Sequence, residues 1–431
     1  MAFKFLLGID AGTSAIKAIL YDSEGRSIAE GFQEYQLITG EKGTVECDPE
    51  VYWSALKNAL AHLFSSIPSN LHFVDALAIS SQGETFVAID QKGNPLRNAI
   101  VWLDNRAGTE AQMIQDTFDP AIIYKTTGCP EVDSTWAATK ILWLRRNQPT
   151  HFERIHKILL VEDYLVYRLT GCFAVNSALY CSTLLYDINK NTWWYEIMDY
   201  IGINPRQFGK IYPSGVEVAK IRSEVAEELG FRNRPVVVSG GMDQACACIG
   251  SGNIQSGIIT ENTGTSLNVA VTTDQPVFDP LCRVPCQIHA LSGKYIFLPW
   301  CSSGGMLLRW FRDNFGRDFM ARALKEKKDV YDLLTEAASA VPPGSEGLVV
   351  LPHLTGARSP EMDPHARGVI YGIHIATRRE HIIKAIMESV AYLSRANIEI
   401  VTEVGIKIER IILTGGTSYS HLWNQIKADT L

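Results

Sequence analysis

The sequence predicts an α/β protein built from two similar domains, and three observations carry that expectation. The chain has 431 residues, too many for one hydrophobic core and natural for two domains. Residues 5–80 run strand–strand–strand–helix–strand, unlike a dinucleotide-binding fold, where the first strand leads into a helix. A strand–turn–strand hairpin also recurs: Asp10-Ala11-Gly12-Thr13-Ser14 near the start, and Asn262-Thr263-Gly264-Thr265-Ser266 in "IITENTGTSLNVAVTTD". One such hairpin near the start of each half implies two related domains, 1–250 and 251–431, facing each other across a cleft.

Composition narrows the class. The chain is 46% hydrophobic and 20% charged, with a net charge of −7 and no basic block, which argues against a nucleic-acid footprint. No apolar run approaches membrane-spanning length. The opening "MAFKFLLGID" reaches its Asp-Gly turn too early for a secretory leader, so a cytoplasmic protein is expected. Nine cysteines contain no C-x-x-C pair and no zinc-like spacing to a histidine, and read as buried free thiols.

The elements follow from local pattern. Residues 5–9, 16–21 and 26–36 read as strands, the second turn being "DSEGRS". Residues 48–66 place Val51, Leu56, Leu60, Leu63 and Phe64 at helical spacing behind an Asp48-Pro49 start. A strand at 74–80 ends at "SQGET". Residues 135–147, 161–171 and 222–230 read as helices, and 234–241 as a buried strand of β-branched residues. A strand pair flanks Ser292-Gly293, and 304–316 is a helix with a glycine entry. The clearest helix is 376–405, with Thr377 and Glu380 as an expected capping box and Gly405 as its stop. Residues 408–416 form a strand into a Gly-Gly turn, after which "HLWNQIKADTL" begins a helix.

The recurring hairpin suits phosphate. Glycine allows close approach, and Thr and Ser add hydroxyls. Asp10 beside a phosphate would repel it unless Mg²⁺ sits between them, and Lys17 adds positive charge. One copy alone reads as a plain tight turn; two copies point to nucleotide binding. No Walker A motif and no protein-kinase signature set occurs. At the end of the buried strand, Asp243 could take a proton from a substrate hydroxyl or simply cap the helix of 244–250. Position alone weighs these equally. Gln82, Glu84, Trp102, Asp104, Asn105 and Arg106 close two further strands. They suit a sugar or polyol beside an indole, although composition alone favours an ordinary polar rim with a packing Trp.

Four segments, "GIDAGTSAIKAIL", "SGGMDQACACIG", "ENTGTSLNVAV" and "LTGGTSYSHLWNQIKADTL", together with "GVIYGIHIATRREHIIKAIME" and "LPHLTGARSP", resemble the FGGY carbohydrate kinases, which include xylulokinase, gluconate kinase and glycerol kinase. The resemblance runs from residue 7 to the end of the chain. It implies an actin-like ATPase fold of two ribonuclease-H-like domains facing a central cleft. It implies ATP and Mg²⁺, with Asp10 holding the metal through water. Gly12, Thr13, Ser14 and Lys17 would line the first phosphate hairpin, and Gly264 and Thr265 the second. Gly305 and Arg309 would lie on the nucleotide-binding helix, and Gly415, Gly416 and Ser420 in the adenosine turn. Asp243 would be the catalytic base, and Gln82, Gly83, Glu84, Trp102, Asp104 and Gln244 the contacts to a small sugar or polyol.

The "SQGET" stretch matches neither the Gln-Met-His-Gly type sequence of xylulokinase nor the Arg-Glu-Thr type of glycerol kinase. "SSGGMLLRWFRDNFG" leans to the xylulose and gluconate kinases. A ketopentose such as xylulose is therefore the expected acceptor, with a polyol or sugar acid as the alternative. Family members continue beyond the adenosine turn, so the second domain is expected to be shortened here. That leaves a sugar- or nucleotide-binding relative with impaired catalysis as a reading of another class. A homodimer is a further expectation; neither nucleic acid nor membrane is expected as a partner.

Overall fold

Strand β1 (Phe5–Ala11) buries Leu7, Ile9 and Ala11 and turns Asp10 to the other face, the period-two pattern of a half-buried strand. In the computed structural model, which describes residues 4–431, β1 pairs antiparallel with β2 (Ala15–Asp22), and β2 with β3 (Ser27–Glu34). Helix α1 (Pro49–Ser65) begins on Asp48, whose side chain accepts the Glu50 N–H at 3.0 Å. Its buried face, including Tyr52, Leu56, Leu60 and Leu63, packs into the core that also holds Ile9, Ile16 and Leu20. A Cβ on Gly31 would fall 1.9 Å from the Ala59 carbonyl oxygen, so α1 can sit this close to β3 only over a glycine.

Strand β4 (Ala76–Ser81) joins β1 in parallel, with Asp10 opposite Ser80. The expected strand–strand–strand–helix–strand order is therefore present, with edges shifted by a few residues. Helices α2 (Ala137–Asn147) and α3 (Val161–Thr170) precede β5 (Glu217–Lys220) and β6 (Val236–Met242). The six-stranded sheet reads β5-β6-β4-β1-β2-β3, with β6 parallel to β4. Helix α4 (Asp243–Gly250) follows β6 without a loop. The carboxyl ends of β1, β4 and β6 thus open along one edge, where open α/β sheets place their ligands.

The chain divides into two units: one runs through Ile249 and includes Gln287–Tyr295, the other comprises Gly250–Cys286 and Ile296–Leu431. The second unit repeats the opening of the first. Strand β7 (Ile258–Thr263) pairs antiparallel with β8 (Leu267–Thr273), Thr263 opposite Leu267. Helix α5 (Met306–Phe315) and the long α6 (Arg379–Glu403) lead to β9 (Arg410–Thr414), which is parallel to β7 with Asn262 opposite Thr414. The last helix is α7 (His421–Thr430). Strands Cys286–Ile288 and Tyr295–Phe297 flank Ser292-Gly293 as expected.

The start of α6 corrects the expected capping box. Thr377 Oγ1 accepts the His374 N–H at 2.9 Å instead of capping the helix. The cap is Arg378, whose N–H donates to His381 Nδ1 at 3.0 Å. A histidine three residues in thus takes the place of Glu380, which ion-pairs with Arg378. All nine cysteines are free; six are buried as expected, while Cys246 and Cys282 are half-buried and Cys172 is exposed. No helix among the described residues is long and apolar enough to cross a membrane.

A buried ion pair ties the ends of the second unit together. Lys427 on α7 donates to Glu261 Oε1 and Oε2 at 3.0 and 2.8 Å, to Thr263 Oγ1 at 2.9 Å and to Thr417 Oγ1 at 3.2 Å. Both charged side chains are wholly inaccessible. Burial pulls the ammonium of Lys427 down, and Glu261 opposes that. Such a pair is costly to break from one side, because the surviving charge stays buried. Lys427→Met is expected to lower the unfolding free energy by about 3–5 kcal/mol. The double change Lys427→Met with Glu261→Leu should recover most of that loss, and urea denaturation of the two variants measures the difference.

Candidate active site

The first hairpin is held from behind by side chains from distant segments. The Gly12 N–H closes the turn onto the Ala15 carbonyl at 3.0 Å. The Gly12 carbonyl accepts from the Gln82 amide at 3.2 Å and from the Tyr35 hydroxyl. The Trp102 indole N–H donates to Thr13 Oγ1 at 2.9 Å, and the Tyr35 N–H donates to the Ser14 carbonyl at 2.9 Å. Ser14 keeps its side chain exposed. Lys17 lies directly opposite Asp10 on β2 and shares its charge with Glu30 at 3.1 Å, both exposed.

Gln82 and Asp104, expected to touch substrate, are committed elsewhere. Gln82 is buried; its Nε2 serves Gly12, and its Oε1 accepts the Thr85 hydroxyl at 3.1 Å. Thr85 Oγ1 in turn accepts the Trp102 N–H at 3.0 Å. Gln82 therefore positions the hairpin and the Trp102 segment relative to each other. Asp104 corrects its expectation outright. It has no accessible surface, its Oδ2 accepts the Val45 N–H at 2.6 Å, and both its oxygens are engaged by Arg106. Its acceptors are saturated inside the protein, so it shapes the loop and offers nothing to a ligand.

Three carboxyl groups gather at the open edge of the sheet. Asp10 Oδ1 accepts the Ser80 hydroxyl at 2.9 Å. Its side chain reaches solvent, yet the protein packed around it raises its carboxyl above the ordinary value, against the pull of Ser80 and Lys17. Asp243 heads α4, and its Oδ1 accepts the N–H of the half-buried Gln244 at 2.6 Å. Asp243 is the first residue of the helix and bonds the next peptide rather than capping from outside, which uses one carboxyl oxygen and does not preclude chemistry at the other. Burial raises Asp243 to about 6, and the neighbouring charge of Asp10 adds to that. Glu84 is buried with φ +58°, a backbone strain that accumulates at functional sites. Burial raises its carboxyl strongly, and Asp243 and Asp133 push the same way. Gly83 leaves room for this turn, since a Cβ there would lie 2.8 Å from Ser182 Oγ.

Sequence reasoning missed Lys140, which is fully buried beside this group. Its Nζ donates to the Trp102 carbonyl at 3.0 Å and to the Thr135 carbonyl at 2.7 Å. Burial lowers its ammonium, while Glu84, Asp104 and Asp133 oppose that. The signal was a lysine on the apolar face of "TWAATKILWLRRN", in step with Ala137, Ile141 and Leu144.

The second unit carries a cavity of about 510 Å³ lined by Gly264, Thr265, Gly305, Arg309, Gly416 and Ser420, all expected from the sequence. Gly415 adjoins it with φ +82°, and a Cβ there would fall 2.6 Å from the Thr263 carbonyl oxygen. Backbones also approach closely at Gly305, whose N–H donates to the Gly264 carbonyl at 2.8 Å. Ser420 accepts the Trp423 N–H at 3.2 Å and so caps α7. Arg309 is largely exposed and lies 4.0 Å from Asp313. Leu308, Tyr331 and Trp423 supply apolar and aromatic walls that were not foreseen. The cavity thus joins apolar walls to glycine backbone, hydroxyls and the first turn of α5, the combination that accepts a flat base and an anion.

Residues 5–250 match the N-terminal domain, and residues 261–431 the C-terminal domain, of the FGGY family of carbohydrate kinases. The chain is 29% identical to the gluconokinase of Bacillus subtilis over 427 residues, 99% of this chain and 82% of that one. It is 30% identical to the xylulose kinase of Lactococcus lactis over 426 residues, again 99% and 82%. The crystal structure of gluconate kinase from Lactobacillus acidophilus superposes with a TM-score of 0.89 at 27% identity, covering 99% of this chain and 84% of that one. The ligand-bound xylulose kinase of the same organism gives 0.88 at 26%, with the same coverage. These neighbours carry the actin-like ATPase fold expected from the sequence. With both family domains matched across almost its whole length, the chain belongs to the FGGY family of carbohydrate kinases.

Proposed function

We propose that this kinase transfers the γ-phosphate of Mg²⁺-ATP to a hydroxyl of a small uncharged sugar, a ketopentose such as xylulose first among the candidates. The observation that carries the reading is Asp243, a carboxyl at a strand end whose burial and proximity to Asp10 raise it to about 6. A general base works best near the operating pH. Asp243 takes the proton of the acceptor hydroxyl as that oxygen bonds to the γ-phosphorus. The bond from phosphorus to the β,γ-bridging oxygen breaks, and ADP leaves with that electron pair.

The remaining residues bind and orient. Thr13 and Ser14 offer N–H and hydroxyl donors in the first unit, and Gly12 lets the phosphate approach closely. Gly264, Thr265 and Gly305 offer backbone to phosphate in the second, while Arg309, Gly415, Gly416 and Ser420 surround the adenosine. Among the described residues no group of three or more His, Cys, Asp or Glu side chains could hold a metal. A single carboxylate such as Asp10 fits Mg²⁺, which keeps most of its waters and shares phosphate oxygens. When bound, Mg²⁺ neutralises charge on the β- and γ-phosphates.

Glu84, Gly83, Trp102 and Gln244 face the acceptor. Glu84 is pushed toward its neutral form, in which it can donate an O–H to a sugar hydroxyl. Lys140 spends its ammonium on two backbone carbonyls. An edge dense in carboxyl groups, with Lys140 spent on carbonyls and Lys17 shared with Glu30, favours a neutral sugar over a sugar acid. ADP release across xylulose, ribulose, glycerol, erythritol and gluconate tests this. A ketopentose is expected to respond most strongly. A stronger response to gluconate would overturn the neutral-sugar assignment, and a flat panel would point to binding without transfer.

Asp243 has two further measurable consequences. The rate of phosphoryl transfer should rise with pH and reach half its maximum near 6, because the base acts deprotonated. Asp243→Asn should lower kcat by about 10²–10⁴-fold while raising stability at high pH. The folded state disfavours the charged carboxyl, so the penalty is absent below its ordinary value of 3.8 and complete above about 6. The gain in Asp243→Asn should reach up to about 3 kcal/mol at pH 8 and shrink towards pH 4, as thermal unfolding at both pH values would record.

A further inference from the structure

The strand that delivers Asp243 is not regular. In its pairing with β4, Val238 lies opposite Ala78 but Gly241 lies opposite Ser80, so β6 carries an extra residue. Such a bulge leaves backbone groups without ladder partners and re-aims the side chains beyond it. The peptide groups freed here belong to Gly240. Its N–H donates to Glu162 Oε1 at 2.8 Å, and its carbonyl accepts from Asn176 Nδ2 at 3.2 Å. Asn176 Nδ2 also donates to Ser239 Oγ at 2.8 Å, and its own Oδ1 accepts the Leu179 N–H at 3.1 Å. Glu162 and Asn176 are both buried. A Cβ on Gly240 would fall 1.8 Å from the Ile79 carbonyl oxygen, so the bulge is pressed against β4 with no slack.

We propose that Glu162 and Asn176 are positioning residues for phosphoryl transfer: they grip the two peptide groups that flank the Gly240 Cα, fix the bulge of β6, and so set where the Asp243 carboxyl points. The inference rests on Asp243 as the base. A carboxylic acid is an unexpected choice for an interior position that serves backbone N–H groups. Burial and the adjacent Asp163 push Glu162 up, well above the ordinary carboxyl value, and the N–H groups of Gly240 and Gly241 oppose this. Asp163 itself is occupied with the Leu160 N–H and the Tyr180 hydroxyl, which leaves Glu162 for the bulge. Neither Glu162 nor Asn176 need touch substrate for this role.

Steady-state kinetics of Asp243→Ala, Glu162→Ala, Glu162→Gln and Asn176→Ala, each judged folded by thermal unfolding, test the proposal. A small misplacement of a reacting group costs up to about 100-fold, so Glu162→Ala should lose about 10- to 100-fold in kcat with both KM values within about threefold. Glu162→Gln keeps the acceptor oxygen and should recover most of that loss. Glu162→Ala added to Asp243→Ala should cost little further, because a positioning residue has nothing left to position. Should Glu162→Ala fail to fold, Asn176→Ala tests the same grip from the carbonyl side and should show the same kcat-only loss. An inactive Asp243→Ala beside Glu162→Ala or Asn176→Ala of near-normal kcat would overturn the positioning role and leave the base intact. An active Asp243→Ala would instead remove the base assignment, and the positioning role with it.

Discussion

Loss of solvation around carboxyl groups crowded at one sheet edge is the constraint on which the first unit turns, with repulsion between them a smaller addition. Asp10, Glu84 and Asp243 lie at or just beyond the carboxyl ends of neighbouring parallel strands, and each has its ionised form disfavoured by the protein around it. Water would relieve that cost, but the sheet topology fixes the strand ends together. The protein tolerates the crowding through neighbours that are themselves constrained: Ser80 on Asp10, the Gln244 N–H on Asp243, and Lys140 near Glu84. What is unfavourable for folding is useful for chemistry, because a carboxyl held near neutrality accepts a proton readily.

The two units solve the same problem of exposing backbone in different ways. In the first, long-range side-chain ties from Gln82, Trp102 and Tyr35 hold the hairpin from behind. In the second, glycines bring main chain onto main chain, Gly305 against Gly264 and Gly415 against Thr263. The wholly buried Glu261–Lys427 pair then locks the last helix to the strand beneath. Thr263 and Thr417 both belong to that polar cluster and to the cavity wall. A perturbation of the pair therefore reaches that cavity directly.

Much of this was legible in the sequence, because its strongest signals are local. The paired hairpins, the helix start at Asp48-Pro49 and the Gly-Gly turn before α7 are written in adjacent residues. Most residues assigned to nucleotide binding in the second half do line one cavity. The failures share a cause. Asp104 was expected to touch substrate because its partner Val45 lies 59 residues away, out of sight of the local pattern. Lys140 was passed over because lysine is rarely buried. Glu162 offered no sign of the bulge it serves, 78 residues downstream. Helices such as Gly108–Thr117 and Arg317–Glu326 are short and mostly polar, so their apolar stripe is thin and tertiary packing decides them.

The most direct test of this account is the titration of the Asp243 carboxyl itself. Carbon-13 NMR of aspartate-labelled protein, with the resonance assigned by its loss in Asp243→Asn, would follow it from pH 3 to 9. The account predicts a midpoint near 6 that moves down when Asp10→Asn removes the neighbouring charge. A midpoint near the ordinary aspartate value of 3.8, indifferent to Asp10, would contradict the claim that burial, with the neighbouring carboxyl, prepares the base.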